Sequence, residues 1–467
     1  MVGVLSFMKT ILLPIYNGLR SRDFFRTDVY KDLVSDSDIC LVVVCPSSKI
    51  EFYKSEFPEK NVIFEPLSFS ENKWGKILNS ISFNLLNTGT IKKKHYQIYV
   101  RDRNLPKYIF RRFAALLFGN SKVVRKFIRF LNDFIPLEPN VVEVLKKYKP
   151  KMVVVPDIVL FSDRIFLRAA KHTGIFVVGM VRSWDNLTAK GVIQVMPDKL
   201  IAQTDFMKRD AMRYGDMNEK DIEVLGLPQF DFYFRKINAT KEEFLKNLGI
   251  PFGRRLILCA PFFDTYSTSS GIKIINQLAR AVDSGKLPKD LHFLVRYRPE
   301  SLPEDESGER LLKHPHITVT MPFSKHFGKG VDRRPDYEFS KSDVELLINS
   351  LYFSHVTINT ISTLTVDAIV LDKPVINIRF DGDSKTPPAY RVALFSGYDH
   401  YNFIENLGGA SLAYNFEELI ELINKYLKDT SFSAEGRKKV KKELVGFTDG
   451  MSGNRFAECI KKYLRET

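Results

Sequence analysis

The chain has 467 residues, a length that predicts two domains, because a single hydrophobic core rarely grows beyond roughly 250–300 residues. Its apolar fraction of 44% and charged fraction of 27% are those of an ordinary globular protein and exclude wholesale disorder. The formal net charge is +15. No stretch approaches the ~20 consecutive apolar residues of a membrane span, so the sequence predicts at most a peripheral contact with a membrane.

The cysteines and the first residues favour a cytoplasmic protein. Cys40, Cys45 and Cys259 lie in apolar runs typical of buried strands, and Cys459 lies in a helical pattern, so all four are interpreted as reduced core thiols. The opening segment, MVGVLSFMKTILLPIY, lacks the basic start and the small-residue cleavage site of a signal peptide. It is better interpreted as a first strand.

Short β-rich runs alternate with helical stretches in the first half of the chain. Four of them are apolar and largely rich in Val or Ile, as in buried parallel strands: Ile11–Tyr16, Ile39–Cys45, Met152–Val155 and Ile175–Met180. Because helical stretches separate them, the pattern predicts an α/β fold with a doubly wound, Rossmann-like sheet. We expect this N-terminal domain to comprise residues 1–228.

A strongly basic segment interrupts this domain between the second and third predicted strands. Residues 91–130 hold one acid, Asp102, and twelve basic residues, which are Lys92, Lys93, Lys94, Arg101, Arg103, Lys107, Arg111, Arg112, Lys122, Arg125, Lys126 and Arg129. The stretches Pro106–Phe118 and Ser121–Phe134 have helical spacing, which predicts a basic helical insert over about residues 91–135. Its partner should be a concentrated anion: a membrane surface, a lipid diphosphate or nucleic acid.

The second helix of the insert suggests which anion this is. One face would carry Phe127, Ile128, Leu131 and Phe134, with Arg125, Lys126 and Arg129 beside it. A basic amphipathic helix of this kind suits an anionic bilayer, here contacted by the segment Lys92–Arg129. No nucleic-acid motif accompanies the charge, so nucleic acid is disfavoured as a partner. The alternative is a solvated helix pair whose aromatic side chains enter the core.

A second set of elements follows a boundary near Gly226–Phe234. Its predicted strands are Leu256–Ala260, Leu291–Tyr297, Ile317–Thr320, Val356–Asn359 and Val375–Ile378. Its predicted helices are Ile272–Ala281, Asp343–Tyr352, Thr363–Leu371 and Phe416–Leu427. The same alternation predicts a second Rossmann-like domain, residues 229–445, facing the first across a cleft. The last helices, about Ser433–Val445 and Ser452–Arg465, follow this sheet, and we expect residues 446–467 to pack back on the N-terminal domain.

The carboxyl ends of three predicted strands in the second domain carry groups that bind phosphates or sugars. In TINTISTLTVDAIVLDKPVINI, the strand end Asn359 leads into the hydroxyl-rich turn Thr360, Ser362 and Thr363, where a helix opens, and Asp367 follows one turn later. A helix N-terminus favours anions. Ordinary capping by Ser362 is the alternative. Arg296 and Arg298, in LVRYRPES, share one face at another strand end, and the polar loop Asp264–Ser270 follows a third.

Several of these segments resemble a known group of enzymes. The run NTISTLTVDAIVLDKPVINIRFDG resembles the donor site of bacterial surface-polysaccharide glycosyltransferases with the GT-B fold, and of the related CDP-glycerol glycerophosphotransferase group. VRYRPES, VLGLPQFD, DHYNFIENLGGASLA and DGMSGNRFAECI resemble further segments of that group, in the same order. The resemblance covers most of residues 150–467. Tyr297 stands where the group often has a histidine, and Asp367 where it commonly has a glutamate.

The resemblance implies roles for individual residues of the C-terminal domain. Ser362 and Thr363, with Asn359 and Thr360 beside them, would hold the donor phosphate, and Asp367 would contact its ribose or sugar. Arg296 and Arg298 would neutralise the leaving diphosphate. His400, in GYDHYNF, would face the donor.

Two loops of the N-terminal domain are candidates for acceptor binding and catalysis. Arg20, Arg22 and Asp23 follow the first strand, where a glycine turn opens a helix, although they could equally be surface charges on a capped helix. The loop Arg182–Gly191 follows the strand at 175–180 and holds Ser183, Trp184, Asp185, Asn186 and Lys190; its segment SWDNLTAKG recurs in the polysaccharide transferases that the chain resembles. The alternative for Trp184 is packing under the interdomain hinge. Transfer requires a base, for which Asp185 is the first candidate and Asp23 the second.

These observations lead to an expected function. We expect a metal-independent GT-B glycosyltransferase without a cofactor, transferring a sugar from an activated, nucleotide-type donor to a lipid-linked surface glycan such as O-antigen or capsule. It would be a peripheral protein of the inner membrane face. The alternatives are a teichoic-acid-type glycerophosphotransferase, a sugar-nucleotide epimerase, and a non-catalytic membrane-associated binding protein. Asp381-Gly-Asp383 is interpreted as a turn or a donor contact rather than a metal site.

Overall fold

The computed structural model describes residues 8–260, 265–297, 313–322, 324–330, 335–360 and 362–467. The predicted donor residue Arg298 lies outside these ranges, as does Asp264 of the predicted polar loop. The rest of that loop is helical, which corrects the prediction, because the helix expected at Ile272 already begins at Thr265.

The first half of the chain forms a seven-stranded parallel sheet in the order β3-β2-β1-β4-β5-β6-β7. Its strands are β1 (Lys9–Pro14), β2 (Ile39–Cys45), β3 (Val62–Pro66), β4 (Met152–Val155), β5 (Phe176–Met180), β6 (Lys199–Ala202) and β7 (Ile222–Val224). Its helices are α1 (Gly18–Phe25), α2 (Asp28–Val34), α3 (Ile50–Glu56), α4 (Lys73–Leu85), α5 (Gly89–Asp102), α6 (Leu105–Phe118), α7 (Lys122–Asp133), α8 (Pro139–Tyr148), α9 (Phe161–His172), α10 (Asn186–Ala189) and α11 (Asp205–Gly215).

The second half forms a six-stranded parallel sheet in the order β10-β9-β8-β13-β14-β15, and a separate hairpin, β11–β12. The strands are β8 (Arg255–Ala260), β9 (Leu291–Arg296), β10 (Ile317–Thr320), β11 (Lys325–Lys329), β12 (Pro335–Glu338), β13 (Ser354–Asn359), β14 (Val375–Ile378) and β15 (Ser411–Ala413). The described helices are α12 (Lys241–Asn247), α13 (Thr265–Asp283), α14 (Lys341–Phe353), α15 (Leu364–Val370), α16 (Val392–Phe395), α17 (Asp399–Asn406), α18 (Phe416–Lys428), α19 (Ala434–Leu444) and α20 (Ser452–Glu466).

Both sheets have the Rossmann order, in which the first strand is central, the next two strands extend the sheet on one side, and the later strands extend it on the other. The predicted fold class, two doubly wound α/β domains, is confirmed. Every residue of β2 is buried, because helices cover both faces of the sheet, and this explains its uninterrupted ICLVVVC sequence. The domain limits 1–228 and 229–445 stay a prediction; β7 ends at Val224 and β8 begins at Arg255.

Helix α20 leaves the second sheet and packs in the core of the N-terminal domain. Phe456, Ile460 and Leu464 are buried in the same apolar cluster as the side chains of β1 and β2. The carboxylate of Asp231 accepts hydrogen bonds from the backbone N–H groups of Ser452, at 3.1 Å, and Gly453, at 2.7 Å. Asp231 belongs to the segment that links the two sheets, so this segment also holds the first backbone N–H groups of α20 in place.

The hairpin β11–β12 forms a second bridge between the two halves. The ammonium of Lys49, fully buried, lies 2.6 Å from a carboxylate oxygen of Asp336 and 2.7 Å from one of Glu338. The hydroxyl of Tyr53 also donates to Glu338. At the tip of α1, a Cβ on Gly18 would lie 1.7 Å from the carbonyl oxygen of Tyr337, so only glycine admits this approach.

The basic insert is helical as predicted, but α7 is oriented differently. Ile128 faces inward, and Arg125 and Arg129 bind Asp216 at 2.6 and 2.9 Å. The prediction that Ile128 belongs to an exposed apolar face is therefore wrong. The ion pairs of Arg125 and Arg129 with Asp216 turn this side of α7 toward the protein, where Ile128 packs in a small apolar cluster. The described part of the chain contains no helix that is long and apolar enough to span a membrane.

Candidate functional site

The carboxyl ends of the two sheets meet at a cleft between the domains. On the N-terminal side, Asn17 caps α1 by accepting from the backbone N–H of Leu19 at 2.9 Å. This cap positions Arg20, Arg22 and Asp23 in the first turns of the helix. Helix α1 follows β1 directly, so its charges lie where ligands bind in open α/β sheets.

The three charged residues of α1 have different environments. Arg20 is buried and lies 3.3 Å from a carboxylate oxygen of Asp163, which makes it part of the domain interior rather than an exposed acceptor contact. Burial raises the pKa of Asp163 to about 6, and the charge of Arg20 offsets only part of that effect. Asp23 lies between two guanidinium groups, those of Arg22 at 2.6 Å and Arg182 at 3.1 Å.

A hydrogen bond at the centre of the cleft joins the C-terminal domain to the segment Pro228–Phe234, which links the two sheets. The hydroxyl of Tyr233 donates to Oδ1 of Asp367 at 2.6 Å. Burial raises the pKa of Asp367 to about 6, although Tyr233 and Arg22 favour its ionised form. A carboxyl group that titrates this close to neutrality can take up a proton during a reaction near pH 7.

Arg296, at the end of β9, faces the same space. It lines a pocket together with Arg22, Tyr233, Asp343 and Asp367. Burial lowers the pKa of Arg296, while Asp343 and Tyr233 act in the opposite direction. Its Nη1 has no hydrogen-bond partner among the described residues. A partly desolvated guanidinium with an unused donor suits an anionic ligand.

A second group of predicted residues forms the contact between the domains. Trp184 is only 5% exposed, with its ring 5.0 Å from that of His400 and 5.8 Å from that of Tyr401. The prediction that Trp184 stacks on an acceptor sugar is therefore wrong in this structure, because its faces are covered by the partner domain. Packing under the hinge, the alternative considered for it, describes what is seen.

The candidate base Asp185 lies beside this aromatic group. Burial would raise its pKa, but the charge of Lys190 and the hydroxyl of Ser183 are among the effects that outweigh burial and lower it. A carboxylate held in its ionised form is a weak base. Burial also lowers the pKa of His400 to about 4, so the imidazole is neutral at pH 7.

Asn186 and Lys190, two of the predicted acceptor residues, anchor the loop after β5 to Asp157. Nδ2 of Asn186, fully buried, donates to Asp157 at 3.1 Å, and Nζ of Lys190 lies 3.6 Å from the same carboxylate. These contacts fix the loop after β5 and leave Asn186 no exposed group. Oδ1 of Asn186 has no hydrogen-bond partner among the described residues, so an acceptor contact through Asn186 stays a prediction.

The hydroxyl-rich turn after β13 is partly engaged in its own structure. Oγ of Ser362 accepts from the backbone N–H of Leu364 at 3.2 Å, and Oδ1 of Asn359 accepts from Thr365 at 3.3 Å. Thr363 is exposed and α15 begins after it, one residue later than predicted. Thr360 is buried. The turn therefore offers a ligand Thr363 and Nδ2 of the buried Asn359, an atom that has no hydrogen-bond partner in the part of the chain that the structure describes.

Arg182 belongs to the loop Arg182–Gly191 that was predicted from the sequence, whereas two other cleft residues were not predicted. Tyr233 lies in the boundary segment Gly226–Phe234, two residues after VLGLPQFD, and the carboxylate of Asp343 accepts from the backbone N–H of Ser340, the residue that caps α14. Their roles depend on contacts between distant segments, for which the sequence holds no local signal. Of the Asp381–Asp383 pair, Asp383 binds Lys273 at 2.7 Å and Asp381 accepts from the backbone of Val392 at 3.0 Å. Both therefore have turn-forming roles, and the described residues contain no cluster with the composition of a metal site.

A comparison of the sequence with models of known protein families identifies the family of this chain. The model described as CDP-Glycerol:Poly(glycerophosphate) glycerophosphotransferase matches residues 194–462, which is more than half of the chain. The chain belongs to this family. The resemblance inferred from the C-terminal motifs is thereby confirmed, and the glycerophosphotransferase family makes the chain a transferase. No curated protein matches the sequence significantly.

Solved structures share the fold of this glycerophosphotransferase-family chain over nearly its whole length. The UDP complex of MnaA from S. aureus has 13% identity and a TM-score of 0.55, covering 98% of this chain and 97% of that one. The UDP-GlcNAc 2-epimerase of Neisseria meningitidis bound to UDP-GlcNAc has 13% identity and a TM-score of 0.54, covering 98% and 100%. A glycosyltransferase from Rickettsia africae has 12% identity and a TM-score of 0.50, covering 98% of each chain. At these identities the similarity shows a common two-domain fold.

Proposed function

We propose that the protein transfers a sugar from a nucleoside-diphosphate donor to a hydroxyl group of a lipid-linked glycan. The observation that carries this proposal is the grouping of Arg22 and Arg296 with the Tyr233–Asp367 pair in one interdomain pocket. The cations would stabilise a leaving diphosphate, and the carboxylate would accept a proton. Solved structures with the same fold hold UDP and UDP-GlcNAc, which supports a nucleotide donor.

In the proposed reaction the acceptor oxygen forms a bond to the anomeric carbon while the bond from that carbon to the donor phosphate breaks. The nucleoside diphosphate leaves with the bonding electrons, close to Arg296. The acceptor proton passes to the carboxylate of Asp367, whose pKa of about 6 makes it a better base at pH 7 than Asp185. Arg22 and Arg296 would supply the positive charge that stabilises the leaving diphosphate, a role that a metal ion has in other enzymes. We therefore propose a metal-independent reaction.

Transfer of glycerophosphate is the second candidate, because the family model carries that description. There the acceptor hydroxyl attacks phosphorus and a nucleoside monophosphate leaves. The position where the family often has a histidine is occupied by Tyr297, whose side chain is buried in the apolar core of the second sheet. Tyr297 therefore presents no base to the cleft, which favours sugar transfer.

The acceptor is proposed to lie at an anionic membrane surface. Helices α4, α6 and α7 expose an unusual number of large apolar side chains, which we name the apolar surface: Trp74, Ile77, Ile81, Leu105, Ile109, Phe110, Phe113, Leu116, Leu117, Phe118, Val123, Phe127, Phe130, Leu131 and Phe134. Exposed cations of the same helices and of α5 accompany it, among them Lys92, Lys107, Lys122 and Lys126. Apolar insertion together with cationic attraction to lipid headgroups is how peripheral helices bind bilayers.

The product of the reaction distinguishes the candidates. We expect UDP, GDP or CDP to be released from the matching nucleotide sugar only when a lipid-linked acceptor is present, with a new glycosidic bond in the product. Release of CMP from CDP-glycerol and a phosphodiester in the product would instead support glycerophosphate transfer. Conversion of a nucleotide sugar without acceptor would support an epimerase, and tight nucleotide binding without turnover would support a binding protein.

A further inference from the structure

A separate polar pocket lies in the N-terminal domain outside the cleft. It is enclosed by the start of α4, the end of α7, the start of α8 and one side of α9. Asn132, Phe161, Arg164, Arg168 and Gln194 line it, and we name it the Asn132 pocket. None of these residues belongs to the cleft.

The pocket contains buried polar atoms without partners. Asn132 is 0% exposed, and neither its Oδ1 nor its Nδ2 has a hydrogen-bond partner among the described residues. Oε1 of the buried Gln194 and Nε of the buried Arg168 also lack partners there. Each such atom costs about 1–3 kcal/mol of folding free energy, so four of them, on three residues around one space, indicate a site that a ligand completes.

The unpaired atoms define the chemistry of that ligand. Nδ2 of Asn132 and Nε of Arg168 donate hydrogen bonds, whereas Oδ1 of Asn132 and Oε1 of Gln194 accept them. A phosphodiester or a fully ionised phosphate only accepts hydrogen bonds and would leave both acceptors unsatisfied. Hydroxyl groups donate and accept, so a polyhydroxylated molecule matches the whole set. Phe161 also lines the pocket.

The charges of the pocket agree with a neutral ligand. The guanidinium of Arg164 is held by Glu71 at 3.1 Å and by Asn79 at 3.2 Å. Asn79 also accepts from Nε2 of Gln194 at 3.3 Å, which orients the free Oε1. Arg168 donates to the carbonyl of Pro136 at 3.0 Å. The cations are therefore engaged within the protein, and the polar side chains are held in place before a ligand binds.

The position of the pocket connects it to both proposed functional surfaces. Asp163 and Arg164 are neighbours on α9, but Asp163 binds Arg20 of α1 in the domain interior, while Arg164 lines the Asn132 pocket. Helices α4 and α7, whose ends enclose the pocket, carry Trp74 and Phe130 of the apolar surface. The pocket thus lies one helix away from the cleft and beside the surface proposed to contact the bilayer.

We propose that the Asn132 pocket is a carbohydrate subsite that holds one sugar unit of the acceptor glycan, away from the unit at which the new bond forms. The inference rests on the proposed function for the identity of the glycan, but its chemistry, a neutral polyhydroxylated ligand, follows from the pocket alone. The subsite would select the acceptor without contacting the reacting atoms.

The test uses the full chain and a panel of methyl glycosides of glucose, galactose, N-acetylglucosamine, N-acetylmannosamine and rhamnose, observed by saturation-transfer NMR. We expect at least one glycoside to bind the wild type and the signal to disappear in Asn132→Leu. Because leucine removes an unsatisfied polar group at similar volume, the Tm of this variant should be unchanged or higher. The acceptor KM should rise by about tenfold or more, while the donor KM stays the same.

Several results would overturn the subsite. Failure of every glycoside to bind the wild type would do so, as would displacement of a bound glycoside by inorganic phosphate. A lower Tm of Asn132→Leu with unchanged glycoside binding would show that Asn132 has a structural role through ordered water. Arg296→Ala separates the two proposals: glycoside binding that survives in this variant supports the subsite even if sugar transfer is disproved, because no donor is present.

Discussion

Tyr233 and Asp367 lie 134 residues apart in the chain and are joined by a hydrogen bond of 2.6 Å at the centre of the interdomain cleft. Tyr233 belongs to the segment that links the sheets, and Asp367 belongs to α15, which follows the hydroxyl-rich turn after β13. The bond stabilises the ionised carboxylate, against a burial effect that favours the protonated one. The protonation state of Asp367 therefore depends on how the linking segment lies against the C-terminal domain.

Removing this hydrogen bond should shift the pH dependence of the reaction. In Tyr233→Phe the carboxylate loses a donor, so the pKa of Asp367 rises above its value of about 6. The acidic limb of kcat/KM against pH should move to higher pH by about one unit, since a hydrogen bond to a charged group contributes roughly 1.5–3 kcal/mol. An acidic limb that does not move would show that another group accepts the proton.

Asp367→Asn should separate activity from stability. A carboxyl group of the unfolded chain titrates near 3.8, and that of folded Asp367 near 6. Between these values the folded chain binds more protons, so the contribution of Asp367 to stability falls as the pH rises. At pH 8 the variant should have an equal or higher Tm, while turnover falls by about a hundredfold or more. In the control Asp383→Asn, which breaks an ion pair with Lys273, turnover should stay unchanged.

Arg296→Ala should lower turnover by about 10²–10³, because a cation directed at developing negative charge has effects of this size. The matched control is Arg255→Ala, at the amino end of β8 and therefore at the opposite edge of the same sheet. Its ion pair with Asp290 is partly exposed, and its loss should leave turnover unchanged. Nucleotide release measured with saturating acceptor tests both variants, and equal rates would exclude Arg296 from the donor site.

Lys49→Met should destabilise the contact between the hairpin and the N-terminal domain. The substitution leaves Asp336 and Glu338 buried without their shared cation, which costs about 3–5 kcal/mol for a buried ionic group that loses its partner. Thermal unfolding should report a clear fall in Tm. Arg26→Ala removes the more exposed pair with Glu56 and should cost about 0–1 kcal/mol. Similar Tm values for the two variants would contradict the structural role of Lys49.

The apolar surface predicts binding to anionic vesicles. Phe110 is 72% exposed and Phe113 60%, so their replacement in Phe110→Ser/Phe113→Ser removes apolar area without disturbing the core. We expect cosedimentation of the wild type with phosphatidylglycerol vesicles, weaker binding to phosphatidylcholine, and at least tenfold weaker binding of the variant. Phe252→Ser is the control, because Phe252 is 77% exposed but lies in the C-terminal domain. Equal binding of both variants would show that another surface contacts lipid.

The sequence predicted most of the buried strands and few of the pairings between distant residues. Strands such as Ile39–Cys45 and Met152–Val155 were predicted with the bounds that they have, because continuous apolar runs report burial on both faces. The short strands β3, β6, β7 and β15 were missed, since segments such as IEV and SLA hold too few residues to show a pattern. The hairpin β11–β12 was missed as well, because polar residues dominate it.

The candidate site was predicted only where its residues follow strands directly. Arg296 and Asp367 could be named, because strand ends and helix starts are visible in the sequence. The orientation of Trp184 could not be, since an aromatic residue in a polar loop fits a sugar and a partner domain equally well. The rotation of α7 depends on Asp216, 87 residues after Arg129, and no local pattern reveals that partner.

The position of α20 has a consequence for how the protein forms. The backbone carbonyl of Leu464 accepts a hydrogen bond at 3.1 Å from Lys9, 455 residues earlier, and Phe456 and Ile460 fill the core between them. During synthesis the whole second domain therefore leaves the ribosome before α20 is available to complete the apolar core of the N-terminal domain. Contacts of such long sequence separation slow folding and leave an exposed interior during synthesis. The N-terminal domain, although translated first, should be the later of the two to reach its native state.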